Sequence, residues 1–302
     1  MNKKSSKFKR VWILHLFVLP GIVLLLLFKY IPLFGGIQMA FQDFKISVGF
    51  FGVQEFVGWD NFAYIFSLPD FGRIVWNTVY IAVWKLVLLL AVPIAITLIL
   101  NEVRSLQYKK FLQTVIILPH FISWVLLAGV YKNFMSLDGF YNVIMRTLGI
   151  KEQLVFGDTD LYVNFVIFSD VLKEYGFSCI VYIAAIAGID QEQYEAATID
   201  GAGRFRMIFS ITLPNITPII VLMTVLSLGN VFNAGFEQIY NTYNSAVTER
   251  GQILDTLIYT MGMNSREYSL SAAMGLLKST ISAVLIAAAY YIAYKKANYV
   301  VF

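Results

Sequence analysis

Six long apolar stretches, separated by polar segments, dominate the pattern of residues along this 302-residue chain. Each stretch is long enough to cross the hydrocarbon core of a bilayer, which takes roughly 20 residues of helix. Because backbone groups in lipid must find partners within their own segment, each stretch predicts a helix, and the short alternating segments of a membrane barrel are missing. The predicted fold is an all-α membrane protein with six transmembrane helices, near residues 11–34, 75–100, 111–135, 162–188, 212–236 and 271–294.

The composition supports this interpretation, since 58% of the residues are hydrophobic and only 14% are charged. That balance excludes a disordered chain and is unusual for a soluble domain. We expect one transmembrane domain over residues 11–294, between a basic N-terminus (1–10) and a short tail (295–302). A basic start followed by an apolar run also resembles a secretory signal, but this run is longer and lacks a small-residue cleavage site. We therefore interpret it as a retained first helix.

Lysine and arginine are concentrated in alternate segments, which predicts the orientation of the helices. They lie before the first span, in the 101–110 loop, in the 189–211 loop and after the last span: Lys3, Lys4, Lys7, Lys9, Arg10, Arg104, Lys109, Lys110, Arg204, Arg206, Lys295 and Lys296. Because cytoplasmic segments carry this excess, both termini and the 189–211 loop are predicted to be cytoplasmic, in a multi-pass protein of a bacterial cell membrane. The formal net charge of +4 follows from this topology and does not suggest nucleic acid.

Other polar and aromatic features are less specific. Loop 35–74 is predicted to be external and is rich in aromatic residues, for which packing at the bilayer surface and docking of an external partner are both open. Cys179 lies in an apolar span and has no second cysteine to pair with, and the chain shows no metal-ligand cluster. His15 and His120 are isolated and more typical of packed histidines than of a proton relay.

The segment between the fourth and fifth spans predicts a short helical hairpin. Asp190 is suited to cap a first short helix, and acidic residues around its first turns are favoured by the helix dipole. Gly201 and Gly203 permit a sharp turn before a second segment. The acidic residues of the segment are Glu192, Glu195 and Asp200, and its basic residues are Arg204 and Arg206. Ala196 and Ala197 have small side chains, so another protein can approach closely there. Such a hairpin suits a groove of another protein, although an amphipathic connector between two spans is the alternative.

The Gly201-Ala202-Gly203 run is not interpreted as a nucleotide-binding loop. It has no preceding strand and no Gly-Lys-Ser/Thr sequence, so the geometry that cradles phosphate is missing. A Walker A pattern occurs nowhere in the chain. We therefore expect no ATPase site and no bound cofactor in this chain.

The spacing Glu195-Ala196-Ala197, Gly201, Ile211 and Leu213-Pro214 resembles the cytoplasmic coupling loop of permease subunits in binding-protein-dependent ABC importers. The resemblance implies a type I importer permease whose loop docks on an ATPase, with ATP and Mg²⁺ bound by the partner subunits. It implies that Glu195 pairs with a basic residue of the ATPase, that Gly201 makes the turn and that Phe205 is a bulky aromatic of the loop. The candidate coupling residues are Glu195, Ala196, Ala197, Asp200, Gly201, Gly203, Arg204 and Pro214.

The resemblance extends over nearly the whole chain, to the polysaccharide-type sugar permeases related to the maltose-type permeases. It is carried by loose motifs such as Pro20-Gly21, Lys29-Tyr30-Ile31-Pro32, Val57-Gly58-Trp59, Lys173 to Phe177, Ala184 to Asp190, Phe236 to Ile239 and Tyr299 to Phe302. It implies import of oligosaccharides or complex glycans, with a second homologous permease, two ATPase subunits and an extracellular sugar-binding lipoprotein. A permease for a non-sugar solute, a membrane scaffold or sensor, and a proton-coupled carrier are the alternatives.

Polar residues within the fourth and fifth spans are candidates for the sugar path. Asp170, Lys173, Glu174 and Phe177 recur at helical spacing and are predicted to share one face, and charges in a span usually face a cavity or a partner. Asn230, Asn233 and Glu237 are predicted to align on the fifth span. The candidate path residues are Lys173, Glu174, Tyr175, Phe177, Asn230, Phe232, Asn233, Phe236 and Glu237. A salt bridge between Lys173 and Glu174, or contacts with a second permease, would explain the same residues.

In the maltose-type permeases, residues of the fourth and fifth spans contact sugar. The resemblance places Phe177, Phe232 and Gly235 near those positions, whereas Lys173 and Glu174 depart from that pattern.

Overall fold

Helices make up most of the chain in a computed structural model that describes residues 3–49, 52–228 and 232–297. The chain divides into two compact units. The smaller unit comprises Met1–Leu68 and Ile258–Leu277, and the larger comprises Pro69–Leu257 and Lys278–Phe302.

The N-terminal part of the smaller unit contains helices and a short two-stranded ribbon. Its elements are α1 (Lys3–Leu25), a π-helical turn (Leu26–Tyr30), α2 (Ile31–Ala40), β1 (Gln42–Asp43), β2 (Glu55–Phe56) and α3 (Asp60–Ser67). The two strands pair antiparallel, with Gln42 opposite Phe56, and were not expected from the sequence. The Asn61 side chain donates to the carbonyls of Ala40 and Gln42, at 3.0 and 3.1 Å, and so ties α3 to the start of the ribbon.

The larger unit contains most of the remaining helices. They are α4 (Phe71–Asn101), α5 (Leu106–Ile117), a 3-10 turn (Leu118–Phe121), α6 (Trp124–Phe134), α7 (Phe140–Thr147), α8 (Thr159–Ala187), α9 (Gln191–Ile199), α10 (Arg204–Met207), a π-helical turn (Ile208–Thr212), α11 (Leu213–Leu228), α12 (Phe236–Thr242), a 3-10 turn (Ser245–Val247) and α13 (Thr248–Gly251). Three elements follow near the boundaries of the units: α14 (Leu254–Tyr259), a π-helical turn (Thr260–Asn264) and α15 (Tyr268–Ala297).

The helices agree with a membrane protein by their length and composition. Among the described residues, four helical stretches are long and apolar enough to cross a bilayer: His15–Ala40, Phe71–Asn101, Arg204–Leu228 and Tyr268–Ala288. Two bent pairs bring the number to six if each is one span: Leu106–Phe121 with Trp124–Phe134, bent by 97°, and Thr159–Ala187 with Gln191–Ile199, bent by 69°. The predicted helical membrane fold is thereby confirmed, with the two-residue strands as an addition.

The predicted fifth span is wrong at its C-terminal end. The sequence predicts a helix to residue 236, but α11 ends at Leu228 and α12 begins at Phe236. Gly235 adopts a left-handed conformation with φ of 94°, which a continuous right-handed helix does not contain. Asn233 and Glu237 therefore do not share a face of one helix, and Asn230 lies outside the described residues.

The core of the larger unit forms where α8 packs along α4. Its buried apolar side chains include Ile81, Ala82, Tyr162, Val163, Phe165, Val166 and Ile167. Helix α5 approaches α8 at Gly176, where a Cβ atom would lie only 1.8 Å from the carbonyl oxygen of Ile116. A glycine at this crossing lets the two backbones touch, as small residues do between membrane helices.

Candidate functional site

The predicted coupling loop forms an exposed helical hairpin, composed of α9, the turn 200–203 and α10. Asp190 caps α9 by accepting from the backbone N–H of Glu192 at 3.0 Å, as its position suggests. Gly201 has φ of 75°, in the left-handed region that favours glycine, and Gly203 precedes the first residue of α10. The turn therefore depends on glycine at Gly201, whereas Gly203 has an extended backbone that other residues also adopt.

The base of this hairpin is anchored in the larger unit. Ile189 and Ile216 are buried beside Ile186 in an apolar cluster. The hydroxyls of Tyr194 and Thr212 lie 2.9 Å apart, which joins α9 to the π-helical turn before α11. Pro214 follows the π-helical turn within the continuous helical stretch Arg204–Leu228, where it has no N–H to donate to the preceding turn. The hairpin is thus fixed to the ends of α8 and α11.

The outer surface of the hairpin is available for contact. Glu195 and Ala196 are exposed, and Ala197 is half-buried. Two large apolar side chains on either side of the turn are highly exposed, Ile199 at 87% and Phe205 at 81%. Such a combination of exposed apolar and charged groups is typical of an interaction surface.

Two details of the hairpin differ from the sequence-based prediction. Asp200 does not lie in the first turns of α9, because it is the C-cap of that helix. Arg204 is engaged within the chain, since its guanidinium donates to the Glu102 carboxylate at the end of α4 over 3.1 Å. Glu102 carries no signal in the sequence that could have identified it, because the two residues are far apart along the chain.

A second polar site lies where α8 meets the bend between α5 and α6. The Lys173 ammonium donates to the Glu174 carboxylate at 2.7 Å and to the carbonyl of His120 at 2.9 Å. His120 Nδ1 lies 2.6 Å from the other Glu174 oxygen. The His120 ring stacks on Phe177, with ring centroids 4.2 Å apart and an interplanar angle of 11°. The structure thus brings together three of the predicted path residues and adds His120.

The members of this polar site differ in their solvent exposure. Lys173 is only 7% exposed and lies over the Trp124 ring, 5.6 Å from its centroid. Phe177 is 46% exposed, and Tyr175 is half-buried. A flat pair of stacked rings beside a carboxylate offers a sugar both an apolar face and a hydrogen-bond acceptor.

The other predicted path residues lie around the interruption between α11 and α12. Asn233 is exposed, whereas Phe232 is only 6% exposed. Phe236 begins α12 and stacks on Tyr240, with ring centroids 5.3 Å apart. Glu237 is exposed in the first turn of α12.

A buried ion pair connects this interruption to α4 and α8. Lys85 lies 3.5 Å from the Asp170 carboxylate, and the two side chains are 6% and 15% exposed. The Lys85 ammonium also donates to the carbonyl of Ala234 at 2.8 Å and to the side-chain oxygen of Gln238. Lys85 is absent from the predicted site, although an ionisable residue inside an apolar span was a signal that could have selected it.

Comparison with known proteins gives consistent results. The chain matches the family described as binding-protein-dependent transport system inner membrane component over residues 88–297. It is 40% identical to protein LplB of Bacillus subtilis (strain 168) over 93% of this chain and 88% of that protein. It is 36% identical to the polygalacturonan/rhamnogalacturonan transport system permease protein YteP of the same organism, over 94% of this chain and 90% of that protein.

A solved structure is similar over nearly the full length. One chain of a bacterial ABC transporter involved in the import of the acidic polysaccharide alginate superimposes with a TM-score of 0.89 and 33% identity, over 98% of this chain and 99% of that chain. The same transporter has been solved in complex with an alginate pentasaccharide-bound periplasmic protein.

Proposed function

Because the chain belongs to the family of binding-protein-dependent transport system inner membrane components, we propose that it is a permease subunit of an ATP-driven importer of oligosaccharides. It forms the translocation path with a second, homologous permease. Two ATPase subunits supply the energy, and an extracellular sugar-binding lipoprotein delivers the glycan. Both termini and the α9–α10 hairpin lie in the cytoplasm, in agreement with the distribution of lysine and arginine.

The α9–α10 hairpin is the observation that carries this proposal. It presents Glu195, Ile199 and Phe205 on an exposed surface, and its base is anchored by Ile189 and Ile216. A force applied to the hairpin therefore reaches the ends of α8 and α11 directly. ATP and Mg²⁺ are held by the ATPase subunits, and closure of those subunits moves the hairpin and switches the access of the path.

The glycan class proposed for this importer is an acidic oligosaccharide. YteP is named for polygalacturonan and rhamnogalacturonan, and the solved transporter imports an acidic polysaccharide. In this chain, the Glu174 carboxylate beside the stacked rings is paired with the Lys173 ammonium, so it does not present an unpaired negative charge to an acidic glycan. This class agrees with the charged residues in the fourth span that depart from the maltose-type pattern.

Reconstitution tests the proposed function directly. The chain is placed in proteoliposomes with its homologous permease and ATPases, and uptake of galacturonate oligomers is measured with the binding protein and ATP. With ATP, we expect uptake only when this chain, the homologous permease, the ATPases and the binding protein are all present. We expect no ATP hydrolysis by the chain alone. Uptake without ATPases, driven by a proton gradient, would identify a carrier. Normal complex formation without uptake of any solute would identify a scaffold or sensor.

Phe177→Ala is expected to lower glycan uptake per assembled complex by about threefold to tenfold, because a stacked aromatic contact contributes about 0.5–1.5 kcal/mol. Uptake is measured in proteoliposomes at equal amounts of complex. Phe168→Ala is the matched control, since Phe168 is a 62% exposed phenylalanine on the same helix, away from the His120 contact. Equal uptake by the two variants would remove Phe177 from the path.

A further inference from the structure

Lys85 is a charged residue within a membrane span, and the proposed function assigns it no role. Lysine has three N–H donors. In Lys85 they face three acceptors: the carbonyl oxygen of Ala234, the side-chain oxygen of Gln238 and the carboxylate of Asp170. No donor is left for a glycan, so a direct contact with substrate would require breaking this arrangement.

Gln238, one of the partners of Lys85, is itself hydrogen-bonded to α8. The Gln238 amide donates to the carbonyl of Val166 and to the hydroxyl of Ser169, both at 2.8 Å. The Ser169 hydroxyl in turn donates to the carbonyl of Phe165 at 2.6 Å. A connected polar network of this kind fixes geometry, because each member would be costly to leave unpaired in a low-dielectric interior.

The network is located where the backbone leaves the helical conformation. Between α11 and α12 the carbonyl of Ala234 accepts from Lys85 and not from a helical N–H. At Gly235 an added Cβ would lie 2.7 Å from the Lys85 ammonium. Non-helical backbone at membrane depth is tolerated where protein groups pair it, and Lys85 provides that pairing here.

The conformation held by Lys85 determines which side chains are exposed. Phe232 and Ala234 are 6% and 0% exposed, whereas Asn233 between them is exposed. A shift of this backbone by one residue would bury Asn233 and expose its neighbours. Position and exposure of Asn233 therefore depend on Lys85 and Asp170.

We propose that Lys85 is a positioning residue of the translocation path: bridged to Asp170, it holds residues 232–235 so that Asn233 faces the passing glycan. This inference rests on the proposed function, because Asn233 is one of the candidate residues of the translocation path that this function requires. Lys173 shows the same arrangement at the bend of α5 and α6, where it donates to the carbonyl of His120 and pairs with Glu174. Helix α8 therefore contributes one carboxylate partner to each of these two lysines. Each lysine also donates to a backbone carbonyl at a break between helices.

The test uses the full reconstituted complex with a cysteine reporter in the held segment. In a background with Cys179→Ala, Ala234→Cys places a thiol at a position that is 0% exposed. We expect Lys85→Met to raise the rate at which a water-soluble methanethiosulfonate reagent modifies this thiol by about fivefold or more, equivalent to about 1 kcal/mol. In Lys85→Met without the reporter, glycan imported per ATP hydrolysed is expected to fall by a similar factor.

Lys132→Met is the matched control. Lys132 also donates to a main-chain carbonyl, that of Asn241 in α12 at 2.7 Å, but this contact is exposed. The control is expected to leave both the labelling rate and the transport ratio unchanged. If Lys85→Met fails to assemble because Asp170 is left unpaired, Lys85→Met with Asp170→Asn removes both charges, and the same two changes are expected in that variant.

Three results would overturn the inference. They are a protected thiol at position 234 in the Lys85 variants, an unchanged ratio of import to ATP hydrolysis, or equal effects in the Lys132 control. A merely structural role would lower import and hydrolysis together and leave their ratio intact. Absence of import by the unmodified complex would count against the proposed function instead, and the labelling comparison would still test how Lys85 holds the segment.

Discussion

Replacement of Glu195 by alanine is expected to lower glycan uptake by at least about tenfold per complex, with sugar-stimulated ATP hydrolysis falling in parallel. Glu195 is exposed on α9, beside the two protruding apolar side chains Ile199 and Phe205. A charge-assisted hydrogen bond that becomes partly buried on docking is worth about 1.5–3 kcal/mol. Its loss weakens the contact with the ATPase and removes the force that moves the hairpin.

The measurement combines uptake, ATP hydrolysis and pull-down of the ATPase at equal membrane levels of the permease. Glu192→Ala is the control, because it removes the same charge from the same exposed helix. Gly201→Asp is expected to resemble Glu195→Ala, since a β-carbon is strained at φ of 75°. Normal uptake in both Glu195 and Gly201 variants would reduce the hairpin to a connector.

The hairpin was the part of the molecule most accessible to prediction. Capping and tight turns are local properties, so the sequence indicates them at Asp190 and Gly201, and the structure shows Asp190 as the cap of α9 and Gly201 in the turn. Pro214, in contrast, lies within the helical stretch Arg204–Leu228. The resemblance to importer permeases rests on the same residues and is confirmed by the family match over residues 88–297. The docking role of Glu195 stays a prediction.

The interruption between α11 and α12 shows where local reasoning fails. The sequence there continues an apolar pattern, and the predicted helix therefore runs on to residue 236. The non-helical backbone before α12 is paired by Lys85, which donates to the Ala234 carbonyl from 149 positions away along the chain. Periodicity within one segment carries no information about such a partner.

The sequence predicts the spacing of the charged residues on α8 but not the residues that pair with them. Its spacing indicates that Asp170 and Glu174 lie one turn apart, but it does not say which cations they meet. The structure pairs Asp170 with Lys85, and Glu174 with both Lys173 and His120. The internal salt bridge that was an alternative for Lys173 and Glu174 is present, and Phe177 remains the more exposed candidate for contact with sugar.

The closeness of α5 and α8 is what brings His120 to Glu174 and Phe177, and it depends on the absence of a side chain at Gly176. This glycine lies on α8 between the residues that contact His120, and the backbone of Ile116 occupies the space where a Cβ would be. Two rigid helices cannot both keep their positions if an atom is added there. The geometry of the polar site therefore depends on the backbone contact between α5 and α8.

Gly176→Ala is expected to reduce the amount of assembled complex by at least about tenfold, because overpacking of a tight contact costs about 1–3 kcal/mol or more. The clash involves the Ile116 carbonyl, which cannot rotate away as a side chain could. The measurement is the yield of monodisperse complex after extraction, together with its melting temperature. Gly129→Ala is the control, since Gly129 is exposed in α6 and a Cβ there meets nothing within 4 Å. A wild-type yield and melting temperature for Gly176→Ala would mean that α5 can move away from α8, and the His120 site would then not depend on their contact.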